Sequence, residues 1–331
     1  MRSGLFITLA TTLLLPLVAL AQSIGGLGIS GSPFTISASP QYPAPYSQVT
    51  VSVLSGSVNI TSSTMKAVVN GKEIYSGSAR PFSFALGKAG SVTNVKITIS
   101  SGGTNYTQAL SIQPQDVVLV AEPISSAPPL YPGKSLVPID GDVRVVAVAH
   151  LRSVSGIVSS PTTYSYAWTV DGTKIANSSG IGKSAIVVAS PLQYRTRDVS
   201  VVVTSQNKNL VGGASLSFTA MEPSVRVYEN DHLLGILYDH ALSDSYSINK
   251  TEATLYAAPF SLPTTGGAPF IQWFLNGASA QTGNSITLRP TGSGEGTASL
   301  SLVASSGESA PATLNLSLIF GATSGTNLFG L

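Results

Sequence analysis

Charged residues are scarce in this sequence: Asp, Glu, Lys and Arg make up 10% of its 331 residues, against about 25% in an ordinary soluble domain. The polar surface must therefore come mainly from Ser, Thr, Asn and Gln. The net charge is +2 and no basic block occurs, so nothing indicates nucleic-acid binding. Long amphipathic helical patterns are also missing, whereas 32 glycines and 20 prolines are typical of a protein with many turns.

Cysteine is absent altogether. Secreted animal domains usually carry disulfide bonds, so an exported chain without them favours a bacterial origin. The same absence excludes a lipid-modified cysteine at the end of the leader.

The N-terminus has the pattern of a secretory signal peptide, residues 1–21. Arg2 gives a weak positive start, an apolar stretch with an interruption at Pro16 follows, and Ala19-Leu20-Ala21 fits the small-residue cleavage signal. The apolar stretch is shorter than the roughly 20 residues of a spanning helix. We therefore predict cleavage before Gln22, an extracytoplasmic location and no membrane span after cleavage. An uncleaved N-terminal membrane anchor is the alternative.

One short pattern occurs three times at near-domain spacing. It reads Ala67-Val68-Val69-Asn70-Gly71, Trp168-Thr169-Val170-Asp171-Gly172 and Trp273-Phe274-Leu275-Asn276-Gly277. The Asn/Asp-Gly pairs lie 101 and 105 residues apart. Such a pair between strand-like runs is the strongest local signal for a β-hairpin, and a period of about 100 residues fits one β-sandwich per repeat.

Alternating apolar and polar residues, as in the run from Val95 to Ser100, predict strands with one face inward. The predicted order of the chain is a signal peptide (1–21), a Gly/Ser-rich spacer (22–31), three β-sandwiches (32–114, 115–222 and 223–320) and a flexible tail (321–331).

A tryptophan followed three residues later by Asp/Asn-Gly resembles the third strand of immunoglobulin-like and PKD-like domains. The run Tyr166-Ala167-Trp168-Thr169-Val170-Asp171-Gly172 is most similar to the PKD pattern. The layout is also similar to exported proteins of small-genome bacteria that carry tandem domains of this kind. The resemblance covers residues 32–320 and implies an all-β fold of three tandem immunoglobulin-like/PKD-like β-sandwiches. It implies no activity, because this fold hosts many unrelated functions.

Trp168 and Trp273 are predicted to fill sandwich cores, because a tryptophan on the third strand packs at the centre of such a domain. Ala67 stands at the matching position of the first repeat, so that core should be lighter or filled from elsewhere. The alternative for the two tryptophans is an exposed platform that stacks on a sugar ring.

The segment 228–240 holds the densest set of polar side chains, Glu229, Asp231, His232, Asp239 and His240. Asp-His pairs can orient a zinc ligand or a general base. The histidines lie eight residues apart, with no cysteine or third histidine nearby, whereas catalytic zinc needs three protein ligands. The structural interpretation is a loop or hairpin between the first two strands of the domain, with its polar groups solvated or capping turns.

Glu122 and Glu229 recur at matched positions, 107 residues apart, and are expected to bond backbone donors or a neighbouring domain. For calcium, the dense acidic pairs are Asp140-Gly141-Asp142 and Glu229 with Asp231. The prediction is nevertheless that the protein has no cofactor and no metal. Gly180-Ile181-Gly182-Lys183-Ser184 lacks the full spacing of a phosphate-binding loop and is interpreted as a turn.

These observations predict a non-enzymatic exported protein of the cell surface or periplasm with a structural, adhesion or assembly role. Its expected partners are envelope proteins or cell-wall glycan. One alternative is a carbohydrate- or peptidoglycan-binding module, which requires an exposed row of aromatic side chains. The other is an enzyme that uses the 228–240 segment.

Overall fold

The structure, a computed structural model, describes residues 32–291, 295–307 and 309–321. The predicted leader and spacer, and the predicted tail apart from Gly321, lie outside the described residues. The described chain falls into two compact units that are divided between Pro114 and Gln115. Its helical content is two single-turn 3-10 helices, Pro161–Thr163 and Ala176–Ser178. No helix in this part of the chain has the length and apolar character needed to cross a bilayer.

The first unit is a β-sandwich of two antiparallel sheets. Its strands are β1 (Phe34–Ser39), β2 (Gln48–Ser55), β3 (Thr64–Val69), β4 (Lys72–Ser78), β5 (Phe82–Ala85), β6 (Thr93–Ser101) and β7 (Thr104–Ile112). One sheet has the order β1-β2-β5 and the other the order β4-β3-β6-β7. Alternate residues of both sheets meet in one apolar core, to which β2 contributes Val49 and Val51 and β6 contributes Ile97.

The second sandwich occupies the N-terminal half of the second unit. Its strands are β8 (Asp116–Pro123), β9 (Asp142–His150), β10 (Ser165–Val170), β11 (Thr173–Lys174), β12 (Gly180–Ile181), β13 (Ala185–Ala189), β14 (Thr196–Thr204) and β15 (Val211–Thr219). One sheet has the order β13-β9-β8. The other has the order β11-β10-β14-β15, with β12 also paired to β10.

The third sandwich follows in the same unit. Its strands are β16 (Ser224–Asp231), β17 (Gly235–Ile236), β18 (Ser245–Ile248), β19 (Ala253–Phe260), β20 (Phe270–Leu275), β21 (Ala278–Thr282), β22 (Ser285–Leu288), β23 (Gly296–Ser305) and β24 (Ala312–Phe320). The sheets have the orders β17-β16-β19-β22 and β18-β24-β23-β20-β21. β18 runs parallel to β24, whereas the other pairs are antiparallel. The predicted all-β fold of three tandem β-sandwiches is therefore confirmed.

The three Asx-Gly pairs form equivalent two-residue hairpin turns after β3, β10 and β20. The Asx residues have φ values of 49°, 47° and 51° and the glycines 84°, 78° and 78°, and two successive positive φ angles define a type I′ turn. In each repeat the backbone N–H of the Asx residue donates to the carbonyl of one residue on a later strand. The Oδ1 atom of the Asx residue accepts a hydrogen bond from the N–H of that same residue. The pairs are Asn70 with Asn94, Asp171 with Asp198 and Asn276 with Ser299.

The second and third sandwiches are joined by backbone pairing as well as by the chain itself. The segment that follows β8 lies along the residues that follow β19. Ser126 N–H donates to the Leu262 carbonyl over 2.8 Å, and Thr264 N–H donates to the Ile124 carbonyl over 3.1 Å. In addition, Leu262 N–H donates to Ser126 Oγ over 3.1 Å. The loop between β8 and β9 therefore belongs structurally to both sandwiches.

Candidate interaction surface

Trp168 and Trp273 lie inside the second and third cores, with 1% and 0% of their surface exposed. Their indole N–H groups are satisfied internally, because Trp168 Nε1 donates to the Lys183 carbonyl over 2.9 Å and Trp273 Nε1 to the Gly283 carbonyl over 2.8 Å. Neither ring can stack on a ligand in this position. The matching Ala67 is also buried, in a core that contains the larger Phe34 and Met65.

The polar segment 228–240 consists of the end of β16, a tight turn, β17 and the start of the next loop. Asp231 Oδ1 accepts hydrogen bonds from the backbone N–H groups of Leu233 and Leu234, over 2.8 and 3.1 Å. These two bonds are the main cause that lowers the pKa of the Asp231 carboxyl. The carboxylate of Asp231 thus stabilises its own turn.

His232 belongs to a surface ion cluster. Its Nε2 atom lies 3.1 Å from Glu252 Oε1, while Arg289 Nε donates to Glu252 Oε2 over 2.7 Å. The Arg289 guanidinium, followed by His232, lowers the pKa of the Glu252 carboxyl. Asp239 and His240 are exposed in the loop after β17. Among the described residues, no three or more His, Cys, Asp or Glu side chains are grouped so that they could hold a metal ion.

Glu122 and Glu229 are not at equivalent positions of their strands. Leu119 faces the core from β8, so Glu122 points outward. Val227 faces the core from β16, so Glu229 belongs to the inward series of its strand. A shift of one residue along a strand moves every side chain to the other face. The match of the two glutamates at a spacing of 107 residues is therefore wrong.

The partners of these glutamates also differ from the expectation. Arg144 Nη1 donates to Glu122 Oε2 over 2.5 Å, and Lys250 Nζ donates to Glu229 Oε1 over 3.0 Å. Burial, followed by the Glu229 carboxylate, raises the pKa of Tyr246 to about 12. The expectation of backbone donors or a neighbouring domain is wrong, because each glutamate pairs with a side-chain cation of its own sandwich.

The acidic pairs considered for calcium are each accompanied by a cation. Asp140 and Asp142 line a cleft of about 780 Å³ between the second and third sandwiches, and Arg197 lines the same cleft. The Arg197 guanidinium is bonded to Asp171 over 2.6 Å, and its positive charge in the cleft weakens the attraction of Asp140 and Asp142 for a metal ion. Lys250 has the same effect on the second pair, because its Nζ atom lies 3.0 and 3.9 Å from the two carboxylates.

The outer face of the β13-β9-β8 sheet is apolar although it faces solvent. The inward residues of these strands form the second core. Apart from Arg144 and the residues at the strand ends, the outward residues are valines and alanines instead of polar residues. They are Val118 and Val120 on β8, Val146 and Val148 on β9, and Ala185, Val187 and Ala189 on β13. We name this surface, defined by these seven residues, the valine face.

The valines of β8 and β9 stand in direct cross-strand register. Val118 lies opposite Val148 and Val120 lies opposite Val146, while β13 pairs with the other edge of β9. The exposed fractions of Val118, Val148 and Val187 are 52%, 44% and 57%. The valine face is therefore a contiguous apolar patch of two rows on β8 and β9, which reaches β13 in the row of Val120, Val146 and Ala185. On β13, Val187 stands opposite Arg144 and Ala189 opposite Asp142.

Charged pairs flank the valines of β8 and β9 at both ends. Glu122 lies opposite Arg144 at one end, and Asp116 lies opposite His150 at the other. The Arg144–Glu122 pair is 2.5 Å apart, and His150 Nδ1 lies 3.8 Å from Asp116 Oδ2. Both acids of these pairs are on β8 and both bases are on β9. The outward series of β9 also includes Asp142, one row beyond Arg144.

The corresponding face of the first sandwich, on the β1-β2-β5 sheet, is hydroxylated. Its central side chains include Ser37, Thr50, Ser52 and Ser83. Thr50 Oγ1 and Ser83 Oγ share a hydrogen bond of 2.8 Å across two strands. An outer sheet face of this kind is compatible with water without any covering partner.

The corresponding face of the third sandwich is apolar but covered. Its outward residues on β16 and β19 include Tyr228, Tyr256, Ala258 and Phe260. The loop between β8 and β9 packs Tyr131 on Phe260, with ring centres 5.4 Å apart, and contributes Leu136 to the same cluster. The segment after β16 completes the cover with residues that include Ile236, Tyr238 and Ala241.

The sequence patterns described above did not predict the valine face, although the sequence contains a signal for it. The opening strands of the second sandwich contain the runs Val117-Val118-Leu119-Val120-Ala121 and Val145-Val146-Ala147-Val148-Ala149. Uninterrupted apolar runs are typical of strands that are covered on both faces. Periodicity alone does not tell whether the second cover comes from the same chain or from a partner.

No known protein family matches the sequence, and no curated protein matches it. Solved structures match at low similarity. The three N-terminal domains of the bacteriophage RB49 Highly Immunogenic Outer Capsid protein are 11% identical, with a TM-score of 0.25 over 88% of this chain and 99% of theirs. The central fibronectin-III array of RIM-binding protein is 7% identical, with a TM-score of 0.28 over 90% and 100%.

A third match is SGBP-B of the mixed-linkage glucan utilization locus of Bacteroides ovatus, solved in complex with a mixed-linkage heptasaccharide. It is 11% identical, with a TM-score of 0.20 over 87% of this chain and 70% of that one. At such TM-scores these matches carry no argument about this chain. The fold rests on the strands and sheets described above.

Proposed function

We propose that the chain is a non-enzymatic exported protein with a structural, adhesion or assembly role, and that the valine face is its contact surface. The observation that carries the proposal is the exposure of Val118, Val148 and Val187 on strands whose other face is already buried. Apolar surface that is removed from water contributes about 25 cal/mol per Å², and contiguous apolar patches mark interaction sites.

The comparison between the repeats supports this proposal. The outer face is hydroxylated in the first sandwich and covered by aromatic and aliphatic side chains in the third. Among the described residues, the outer face is made polar in the first sandwich and covered in the third, whereas in the second sandwich it is neither polar nor covered. A partner that covers the valine face supplies the cover that the third sandwich obtains from its own unit.

The polar contacts of the 228–240 segment support a non-enzymatic role. Asp231 caps its own turn, and His232 is paired with Glu252. Both side chains therefore have structural partners in the folded chain. Export rests on the predicted leader, residues 1–21, and the expected partners are envelope proteins or cell-wall glycan.

The test is retention of the protein at the cell envelope. Replacing Val118, Val148 and Val187 by threonine keeps β-branching and strand propensity but removes apolar surface. We expect this triple variant to shift from the envelope to the soluble extracytoplasmic fraction of the source cells. Ile74→Thr with Ile181→Thr is the matched control, because both isoleucines are exposed on strands elsewhere. Unchanged retention of the triple variant contradicts the proposal.

A binding assay with purified cell walls tests the glycan-binding alternative. Both tryptophans are buried, so a sugar site would use other aromatic side chains, such as the exposed Tyr194 and Phe270. If the chain and its triple threonine variant both pellet with purified cell walls, and a Tyr194→Ala, Phe270→Ala variant does not, the glycan alternative replaces the valine face.

A further inference from the structure

The charges around the valine face match a second copy of the same surface. We propose that two copies of the chain associate through their valine faces, about a two-fold axis that runs along the strands between β8 and β9. This inference rests on the proposed function, because it names the partner of the same surface.

The axis follows from the columns of residues on the two strands. Along β8 the outward side chains begin and end with an acid, and the β9 residues opposite these two acids are the bases His150 and Arg144. The outward series of β9 continues one row past Arg144 to Asp142, which lies opposite Ala189 of β13. Rotation by 180° about an axis between these strands places β8 of the partner over β9. The partner's Glu122 then lies over Arg144, and the partner's Asp116 lies over His150. The intervening valines of the two copies face each other row by row.

The other in-plane axis gives a worse match. An axis across the strands places β8 over β8 with its direction reversed. The partner's Glu122 then lies over Asp116, and the partner's Arg144 lies over His150. Like charges in contact are unfavourable. The sign pattern therefore selects the axis along the strands.

The shape of the surface suits a second sheet. Two sheets pack face to face at a distance of about 10 Å with their strands rotated by about 30°, as in the interior of a sandwich. Valine rows on both copies form the same kind of layer as the second core, and a two-fold interface uses one self-complementary patch. The net charge of only +2 produces little repulsion between copies.

The size of the surface sets the strength of the association. The axis overlays only β8 and β9 of the two copies. Two strands spaced about 4.8 Å apart, with four same-face rows about 6.8 Å apart, give roughly 260 Å² on each copy. This is about a third of the roughly 800 Å² that each partner buries in a standard stable interface. We therefore expect a weak dimer, with a dissociation constant on the order of 100 µM. Such an association acts where copies are concentrated, as on a cell envelope.

A charge exchange tests both the partner and the axis. The chain from Gln22 onward is studied by sedimentation velocity between roughly 10 µM and 1 mM, a range that brackets the expected constant. Arg144→Glu alone places two glutamates over each other at both symmetry-related contacts, and Glu122→Arg alone places two arginines there. Each single variant should weaken the dimer roughly tenfold or more, as expected for opposed like charges.

An equal mixture of the two single variants should recover the dimer, because every contact in the mixed pair joins an acid with a base. The double variant Glu122→Arg, Arg144→Glu is the matched control, since it restores opposite charges within and between chains and should associate like the parent. Thermal melting of each variant verifies its fold.

Three results overturn the inference: a parent chain that is monomeric throughout the range, single variants that associate like the parent, or a mixture that fails to recover. If the parent is monomeric and the triple threonine variant still loses envelope retention, the proposed function stands and the partner is a different molecule. If retention and self-association are both unaffected by the valine substitutions, the proposed function fails as well.

Discussion

Arg144 lies directly opposite Glu122 in the register of β8 and β9, and its Nη1 atom donates to Glu122 Oε2 over 2.5 Å. Half of each side chain is exposed, and exposed pairs contribute only about 0.2–1 kcal/mol to stability. We expect Arg144→Gln to lower the free energy of unfolding of the monomer by no more than this, measured by urea denaturation at low protein concentration. A loss of several kcal/mol would show that the pair contributes strongly to the folding stability of the monomer, which would contradict this expectation.

Tryptophan replacements should report the stabilities of the second and third sandwiches separately. Trp168→Phe and Trp273→Phe each leave a backbone carbonyl, of Lys183 or Gly283, without its indole donor. We expect each to destabilise its sandwich by about 1–3 kcal/mol, and the alanine variants by about 3–5 kcal/mol. The chain has two tryptophans, so the fluorescence of each phenylalanine variant follows the other sandwich alone. Emission typical of an exposed indole in either folded variant would contradict the buried positions.

Substitutions at the Asx position of a turn should separate the cost of backbone strain from the cost of a lost side-chain hydrogen bond. Asn276 has a positive φ and accepts a hydrogen bond from Ser299 N–H. Asn276→Gly keeps the backbone conformation but loses the acceptor, at a cost of about 0.5–1.5 kcal/mol. Asn276→Ala loses the acceptor and adds about 1–2 kcal/mol of left-handed strain. Asn276→Asp keeps both features and is the control. Equal stabilities of the alanine and glycine variants in chemical denaturation would contradict this order.

The turns and the tryptophans were predictable because their signals are local. Asn276-Gly277 favours one turn type, and Trp273 lies three residues before it on the same strand. The Glu122–Glu229 match failed because sequence similarity does not register a shift of one residue, which reverses the face of a strand. The contact of Ser126 with Leu262 joins residues that are 136 positions apart, and no local pattern indicates it. Exposure of the valine face likewise depends on which other segments reach it.

The hairpin after β16 should depend on pH through Asp231. Hydrogen bonds from the N–H groups of Leu233 and Leu234 lower the pKa of this carboxyl below its usual value of 3.8. A carboxyl with a lowered folded pKa stabilises the structure above its unfolded pKa, and the stabilisation is lost as the pH falls through the folded value. We expect amide exchange at Leu233 and Leu234, followed by NMR, to accelerate below about pH 4 relative to other turns.

Asp231→Asn provides the control for this titration. The amide oxygen of asparagine can still accept the two hydrogen bonds, but it does not titrate. The variant should therefore retain the hairpin and lose the pH dependence of exchange at both amides. An unchanged pH profile in this variant would assign the acid effect to another group, such as Glu252.

Ser126 should control the coupling between the second and third sandwiches. Its Oγ atom is the acceptor for the N–H group of Leu262, which is fully buried. Ser126→Ala leaves that N–H without a partner, and a buried unsatisfied donor costs about 1–3 kcal/mol. The loss lies in a contact between the two sandwiches, at a residue whose side chain belongs to the third core. In backgrounds with a single tryptophan, we expect the parent chain to show similar midpoints for both sandwiches and Ser126→Ala to separate them. Ser215→Ala is the control, because Ser215 is exposed on β15, and this variant should keep the two unfolding midpoints together. If Ser126→Ala also keeps the two midpoints together, the paired segments do not couple the two sandwiches.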